Sequence, residues 1–276
     1  MSSAETLMDY FVYQRCNYRR KPYLHSHTEY EIFYFHGGSC EYYVEGESME
    51  LSPGDLIIVN GLSRHGSLMK EACSRTMVRF DGAYVRPLLQ QEDAIDWLKP
   101  FRDSNYCRWS LSESQRADAE DILLRMSRFH GKPGLVPFHR LRTAFQDLLL
   151  FIYDCWAEGP GRLVDATDLK AQRVHQLIQY IETNYMNELT LDRIADHLYI
   201  NKFYLVKLFK EATGLTIFEY VNKCRINKAK LLFLMDGNRS VTDVCYEVGF
   251  HQPAHFSRNF KQMVGVTPEH FRRLFQ

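Results

Sequence analysis

One segment of this chain is written twice. Phe209-Lys210-Glu211-Ala212-Thr213-Gly214-Leu215-Thr216 recurs as Phe260-Lys261-Gln262-Met263-Val264-Gly265-Val266-Thr267, so the pattern F-K-x-x-x-G-x-T keeps an offset of 51 residues. Upstream, Thr190-Leu191 with Ile194 is matched by Ser240-Val241 with Val244, at an offset of 50. Two copies are too few for a solenoid, which needs about three to bury a continuous core. A tandem pair of small helical modules remains. Within each copy the phenylalanine is a core residue, the glycine ends a helix and the threonine caps the next one, with Pro268 at a first helical position behind Thr267.

The flanking residues give each module its outline. Thr190 is placed as an N-cap for a short helix ending near His197-Leu198, and Asn201 as the cap of a second helix through about Ala212. In the second copy Ser240 caps a helix to Val248, Gly249 stops it, and the following helix begins near Pro253. Helix, short turn, helix is the outline of a helix-turn-helix. At 100° per residue, Leu205, Leu208 and Phe209 share an inner face in the first copy, and Phe256, Phe260 and Met263 do so in the second. The outer faces carry Phe203, Val206, Lys207 and Lys210 in one, and Ala254, Ser257, Arg258 and Lys261 in the other, with His255 at the flank. Cations mixed with small or apolar groups suit major-groove readout, where Arg or Lys meets guanine edges and apolar groups meet thymine methyls. One helix, roughly Ile217 to Met235, joins the modules. Its span of about 28 Å approaches the ~34 Å between successive major-groove faces of a duplex. The candidate DNA contacts are therefore Asn201, Lys202, Phe203, Val206, Lys207, Lys210, Ala254, His255, Ser257, Arg258 and Lys261.

Charge is distributed accordingly. The 34 basic and 34 acidic residues cancel, but residues 170–276 hold 15 Lys/Arg against 10 Asp/Glu, and residues 1–169 hold 19 against 24. The excess favours an anionic partner for the C-terminal part. The seven cysteines are scattered, odd in number and without a C-x-x-C pair, which fits free thiols in a reducing compartment. No run approaches the ~18 apolar residues of a membrane span, so the expected location is cytoplasmic.

The N-terminal half reads differently. Over residues 21–82, Tyr30–Phe35, Glu41–Val44, Ser48–Leu51 and Leu56–Val59 are short strands separated by Gly37-Gly38, Glu45-Gly46 and Pro53-Gly54-Asp55. Such close punctuation predicts a sandwich or small barrel. From about residue 84 the period is helical, with stretches at Asp118–Phe129 and Phe138–Trp156. The apolar set Leu141, Phe145, Leu148, Leu149, Ile152 and Trp156 is wide enough to suggest pairing with a second copy of the chain across a two-fold axis. The expected fold class is α+β: a barrel domain over 1–160 (barrel about 10–83, helices about 84–158), a linker at 161–169, and an all-α domain over 170–276.

His25, His27, Glu31 and Phe33 have the same parity, so an extended chain turns them to one side, and His65 follows Gly54-Asp55 by a strand and a loop. This spacing resembles the cupin signature, an H-x-H-x-x-x-E motif followed by a G-D strand and a later histidine. Asn60 and Leu62 replace the proline and glycine usual before that histidine. The resemblance implies that His25, His27, Glu31 and His65 form a divalent-metal ligand set, or that these residues with Phe33 line an effector pocket. Without a metal, a buried Glu31 needs a partner, for which His25, His27, Arg64 or a hydroxylated ligand are candidates. No nucleophile elbow, Walker loop or dinucleotide glycine loop is present.

The C-terminal hundred residues resemble the AraC family of bacterial transcription regulators. The resemblance is carried by Ala195, Tyr204-Leu205, Leu208-Phe209-Lys210, Gly214, Phe218, Arg225, Ala229 and Leu232, and most strongly by Val248-Gly249-Phe250, His255-Phe256-Ser257-Arg258, Phe260-Lys261, Gly265, Thr267-Pro268 and Phe271-Arg272. Asn201 stands where that family favours serine, and Pro253 opens the second recognition helix. The family implies a non-enzymatic, dimeric regulator that binds double-stranded DNA, answers to a small molecule such as a sugar or related metabolite, and contacts RNA polymerase; no cofactor is required. A metal-dependent cupin enzyme with a DNA-binding tail, and a regulator without a small-molecule ligand, are the alternatives.

Overall fold

The computed structural model describes residues 24–69, 72–82, 95–132, 134–159, 162–163 and 169–274. They fall into two compact units, whose described parts lie within 24–82 and 95–163 for the first and 169–274 for the second.

Among its described residues, the first unit has the strands β1 (Tyr30–Gly37), β2 (Cys40–Val44), β3 (Glu47–Glu50), β4 (Asp55–Val59), β5 (His65–Met69), β6 (Ser74–Phe80), β7 (Tyr106–Ser110) and β8 (Arg162–Leu163). The helices among the described residues of this unit are α1 (Lys99–Arg102), α2 (Glu113–Phe129) and α3 (Leu135–Glu158). The strands form a five-stranded sheet in the order β6-β1-β4-β7-β8 and a three-stranded sheet in the order β3-β2-β5. Phe33, Phe35, Ile57, Val59 and Tyr106 of the larger sheet share one core with Cys40, Tyr42, Val44, Met49 and Met69 of the smaller. The expected barrel is thus two sheets over a common core; among the described residues the ladders do not close into one.

Burial follows position in the sheets. β1 is covered on both faces, so Tyr30 to Phe35 are all buried. Phe33 faces the shared core, while the Tyr34 hydroxyl donates to Glu120 of α2 at 2.9 Å. β2 alternates buried and half-buried residues, as a strand with one covered face does. α2 begins in a capping box in which Ser112 and Gln115 bond reciprocally to each other's backbone N–H.

Two sequence expectations are corrected in this unit. The stretch after residue 84 is not helical throughout, because β7 returns to pair with β4; the alternation in Cys107-Arg108-Trp109-Ser110 is too short to mark a strand by itself. The face of α3 suggested for dimer pairing is used internally. Leu141, Phe145, Leu148, Leu149 and Ile152 are fully buried within the unit, with Phe145 edge-on to Phe80 of β6 at 5.1 Å. The expected linker 161–169 lies mostly outside the described residues, and Arg162–Leu163 within it forms β8 against β7.

The second unit is all-helical: α4 (Leu169–Asn184), α5 (Leu191–Leu198), α6 (Lys202–Thr213), α7 (Ile217–Met235), α8 (Val241–Glu247), α9 (Pro253–Val264) and α10 (Pro268–Arg273). The expected caps are in place. Thr190, Ser240 and Thr267 each accept a backbone N–H three residues on, and Thr216 makes a full capping box with Glu219. Gly214 and Gly265 close α6 and α9 in the left-handed region. The repeated phenylalanines dock the modules at opposite ends of α7. Phe209 meets Tyr220 near its start at 5.7 Å, and Phe260 meets Phe233 near its end at 6.0 Å. Met263, expected inward, is 43% exposed; Phe271 of α10 packs on Phe260 at 5.5 Å and fills that side of the core. No helix among the described residues is long and apolar enough to cross a membrane.

Candidate effector site and nucleic-acid interface

His25, His27, Glu31 and His65 converge. A pair of 3.0 Å backbone hydrogen bonds joins His25 to His65, and the His27 amide donates to the Gly61 carbonyl at 2.8 Å. The segment before β1 is thereby clipped to the start of β5. Gly61 makes the approach possible: at φ +65°, a Cβ there would lie 1.9 Å from the Glu29 carbonyl oxygen. Asn60, in place of the usual proline, holds the loop instead. Its side chain bonds Asn105 at 3.2 Å and accepts the Ser63 amide at 3.1 Å.

The four ligand-type atoms lie within 4.8 Å of one another. Glu31 sits at the centre, with its Oε2 3.4 Å from His27 Nε2 and 3.4 Å from His65 Nε2. Its direct partner is Arg79, whose Nε donates to Oε2 at 2.7 Å and whose Nη2 donates to His25 Nε2 at 2.6 Å. Burial works against the Glu31 charge, but His27, His65 and Arg79 outweigh it and hold the carboxyl well below its ordinary range. Burial first, then the Glu31 carboxylate, pushes the Tyr42 phenol well above its ordinary value. Tyr42 therefore remains a donor, 3.4 Å from Glu31 Oε1. Phe33 lies fully buried beside the cluster, edge-on to Tyr42 at 4.9 Å.

Arg79 and Tyr42 are the members that sequence reasoning did not find. Arg64, a suggested partner for Glu31, is exposed. The signal for Arg79 is register: Glu31 of β1 stands directly opposite Arg79 of β6, and opposite charges across a ladder attract. That pairing cannot be read before the two strands are known to be neighbours.

In the second unit the outer faces of α6 and α9 are open. Phe203 is 76% exposed and Val206 36%, while Ala254, His255, Arg258 and Lys261 are exposed and Ser257 is half-buried. Asn201 is committed to capping, since its Oδ1 accepts from the amides of Phe203 and Tyr204. The cations of the first module have acidic neighbours: Lys202 with Asp192 at 2.7 Å, Lys207 with Glu211 at 3.8 Å and Lys210 with Glu219 at 3.9 Å. Among the described residues, Arg258 and Lys261 of α9 enter no ion pair.

Comparison with known proteins agrees with this two-part design. Residues 10–131 match the AraC-like ligand binding domain, and residues 194–274 match a helix-turn-helix domain family. The HTH-type transcriptional activator RhaS of Escherichia coli is 25% identical over 257 residues, covering 90% of this chain and 87% of RhaS. An uncharacterised HTH-type transcriptional regulator of Pseudoalteromonas carrageenovora is 39% identical over 102 residues, which are 37% of this chain and 60% of that protein. Among solved structures, apo ToxT from Vibrio cholerae aligns over 97% of this chain and 98% of ToxT, at 17% identity and a TM-score of 0.43. A sheet-rich ligand-binding domain precedes a tandem helix-turn-helix domain, and the chain belongs to the AraC family of transcription regulators.

Proposed function

We propose that the chain reads double-stranded DNA with the outer faces of α6 and α9, set in successive major grooves by α7, under control of a small molecule bound at the histidine cluster. The observation that carries the DNA reading is the pair of open faces at opposite ends of one 19-residue helix. Phe203 and Val206 would touch thymine methyls, Arg258 a guanine edge, and Lys261 a phosphate. Asn201, with its side chain spent on the cap, and Lys202, Lys207 and Lys210 would position the helix on the backbone. Ala254, His255 and Ser257 would contribute short-range contacts from α9.

His25, His27, Glu31, His65 and the Arg79 guanidinium offer donors and acceptors to a polar metabolite, for which a sugar is the family's leading class. Pairing of two chains, contact with RNA polymerase and a cytoplasmic location complete the reading, together with action by binding rather than turnover. With the α3 stripe spent inside its own unit, pairing would fall to side chains still exposed there, such as Leu124 of α2 and Leu150 of α3.

The test is selection of binding sites from random DNA, followed by gel shifts of the selected operator over a salt series. A discrete consensus bound at least about 10³-fold more tightly than random sequence is expected. Equal affinity for both would end the reading. A thermal-shift screen of metabolites checks the effector part, since a ligand at a hundredfold excess over its Kd stabilises the native state by about 2.7 kcal/mol.

A further inference from the structure

We propose that Arg225 of α7 is a positioning residue for DNA reading: it clips the end of α4, in the first module, to the α8–α9 turn of the second, and so fixes the rotation of α9 relative to α6. The proposal rests on the reading of DNA by these two helices and concerns what holds them in register.

α7 sets how far apart the modules stand, but their mutual rotation needs a contact that both share. Rotation matters because the groove turns by about 35° with each base pair. α4 belongs to the first module. Its Tyr180 ring lies 4.3 Å from that of His197 on α5, and its Arg173 guanidinium lies 5.9 Å over the Tyr204 ring of α6. Glu182, near its end, accepts from the Tyr220 hydroxyl of α7 at 2.9 Å.

The C-terminal end of a helix leaves carbonyl groups without intrahelical donors and favours a cation. Arg225 answers both needs where α4 ends. Its Nε donates to the Tyr185 carbonyl oxygen at 2.7 Å and its Nη2 to that of Asn187 at 3.1 Å. The same guanidinium lies 5.5 Å over the ring of Phe250, within cation–π reach. Phe250 is buried in the α8–α9 turn and meets Phe256 and His255 of α9 at 5.3 and 5.5 Å. One side chain on the joining helix therefore touches both modules.

The two equivalent turns of the repeat report the same junction. Gly249, at φ +92°, brings the α8–α9 turn against the end of α4; a Cβ there would lie 2.7 Å from the Met186 carbonyl oxygen and 3.0 Å from its Cα. Only glycine allows so close an approach in that conformation. Fifty residues earlier, the first module carries Tyr199, also left-handed at φ 53° and 96% exposed. A large side chain fits there, at some cost in backbone strain, because no main chain crosses over it. Glycine stands in the turn that is clipped and is absent from the one that is not.

Two measurements on the full chain test the clip. The first needs no DNA. Glu211 and Gln262, exposed at equivalent places on α6 and α9, are replaced by a keto amino acid that takes nitroxide labels and leaves the seven cysteines untouched. Pulsed electron resonance then reads the distance between the labels. Wild type should give one narrow distribution, and Arg225→Met, which keeps the length of the side chain and loses both hydrogen bonds, a clearly broader one. The second measurement follows gel shifts on the selected operator with one base pair added or removed between its two protected patches. Wild type should lose on the order of tenfold in affinity, as the modules no longer engage together. Arg225→Met should bind the original operator more weakly and be nearly indifferent to the spacing, which a loss of packing alone would not produce. Urea unfolding checks that each variant is folded, and Arg225→Lys, with one donor group for two carbonyls, serves in both measurements should Arg225→Met not fold. Equal distance distributions in wild type and the folded variant, or a spacing penalty that the variant retains in full, overturn the proposal. A broadened distribution alongside a wild type that selects no discrete operator would instead sink the DNA reading and leave the clip standing.

Discussion

The two helix-turn-helix modules share a scaffold and differ in what they offer to DNA. Both hang a buried phenylalanine on α7, Phe209 at one end and Phe260 at the other, and both close on a left-handed glycine. Their entries into the second helix already diverge. α6 starts from a side-chain cap by Asn201, whereas α9 starts on Pro253 behind Gln252, which makes no cap bond. The reading faces diverge further. α6 presents Phe203 and Val206 among lysines that have acidic neighbours, and α9 presents Arg258 and Lys261 without them. Duplication has preserved the parts that fold and released the parts that read. On the proposed reading, the first module would recognise thymine-rich steps through apolar contact, and the second would recognise its half-site through charge.

The largest expected effect tests the shared scaffold. Phe209→Ala and Phe260→Ala should each cost about 3–5 kcal/mol of stability in urea unfolding, since both rings are fully buried. A loss below about 1 kcal/mol for either would mean that the modules are not anchored alike. Next comes the charged face: Arg258→Ala should cost about 1–3 kcal/mol of operator affinity and relax preference at one base pair, as a gel-shift panel of operator point variants would reveal. Unchanged preference at every position would remove Arg258 from base reading.

The apolar face should behave otherwise. Phe203→Ala should weaken operator binding by about 1 kcal/mol through lost apolar contact while leaving the salt dependence as in wild type. A changed salt slope would show that the first module does not work as described. Smallest are the lysines. Lys261→Ala should lower the slope of log K against log salt by about 1 and weaken all sequences alike, whereas Lys207→Ala, beside Glu211, should change that slope less. Equal slopes for the two variants would erase the distinction between paired and unpaired cations.

The helical unit was legible in the sequence because its signals are local. Thr190, Ser240, Thr216 and Thr267 each act within three residues of themselves, and the repeat itself marks Phe209 and Phe260 as equivalents. Helical periodicity puts Met263 beside Phe260, but Phe271 of α10 takes that space and leaves Met263 exposed. In the sheet unit, parity groups His25, His27 and Glu31, and the resemblance to the cupin signature adds His65 to them. Neither signal reaches Arg79, since its meeting with Glu31 depends on β1 and β6 being neighbours in one register. β7 escaped notice for a related reason: Tyr106–Ser110 becomes a strand by pairing with β4, more than forty residues earlier. The apolar stripe of α3 likewise reads as a surface for a partner, although Phe80 of β6 packs on it within the unit. Local chemistry is readable one residue at a time, and long-range pairing is not.

Hydroxyl-radical footprinting of the wild-type chain on a selected operator tests the central claim most directly. The account predicts two protected patches on one face of the duplex, about one helical turn or 10–10.5 base pairs apart for each bound DNA-binding domain. Arg258→Ala should thin one patch and Phe203→Ala the other. A single patch per domain, or two patches that fade together in either variant, would contradict a regulator that reads two grooves with two differently built helices.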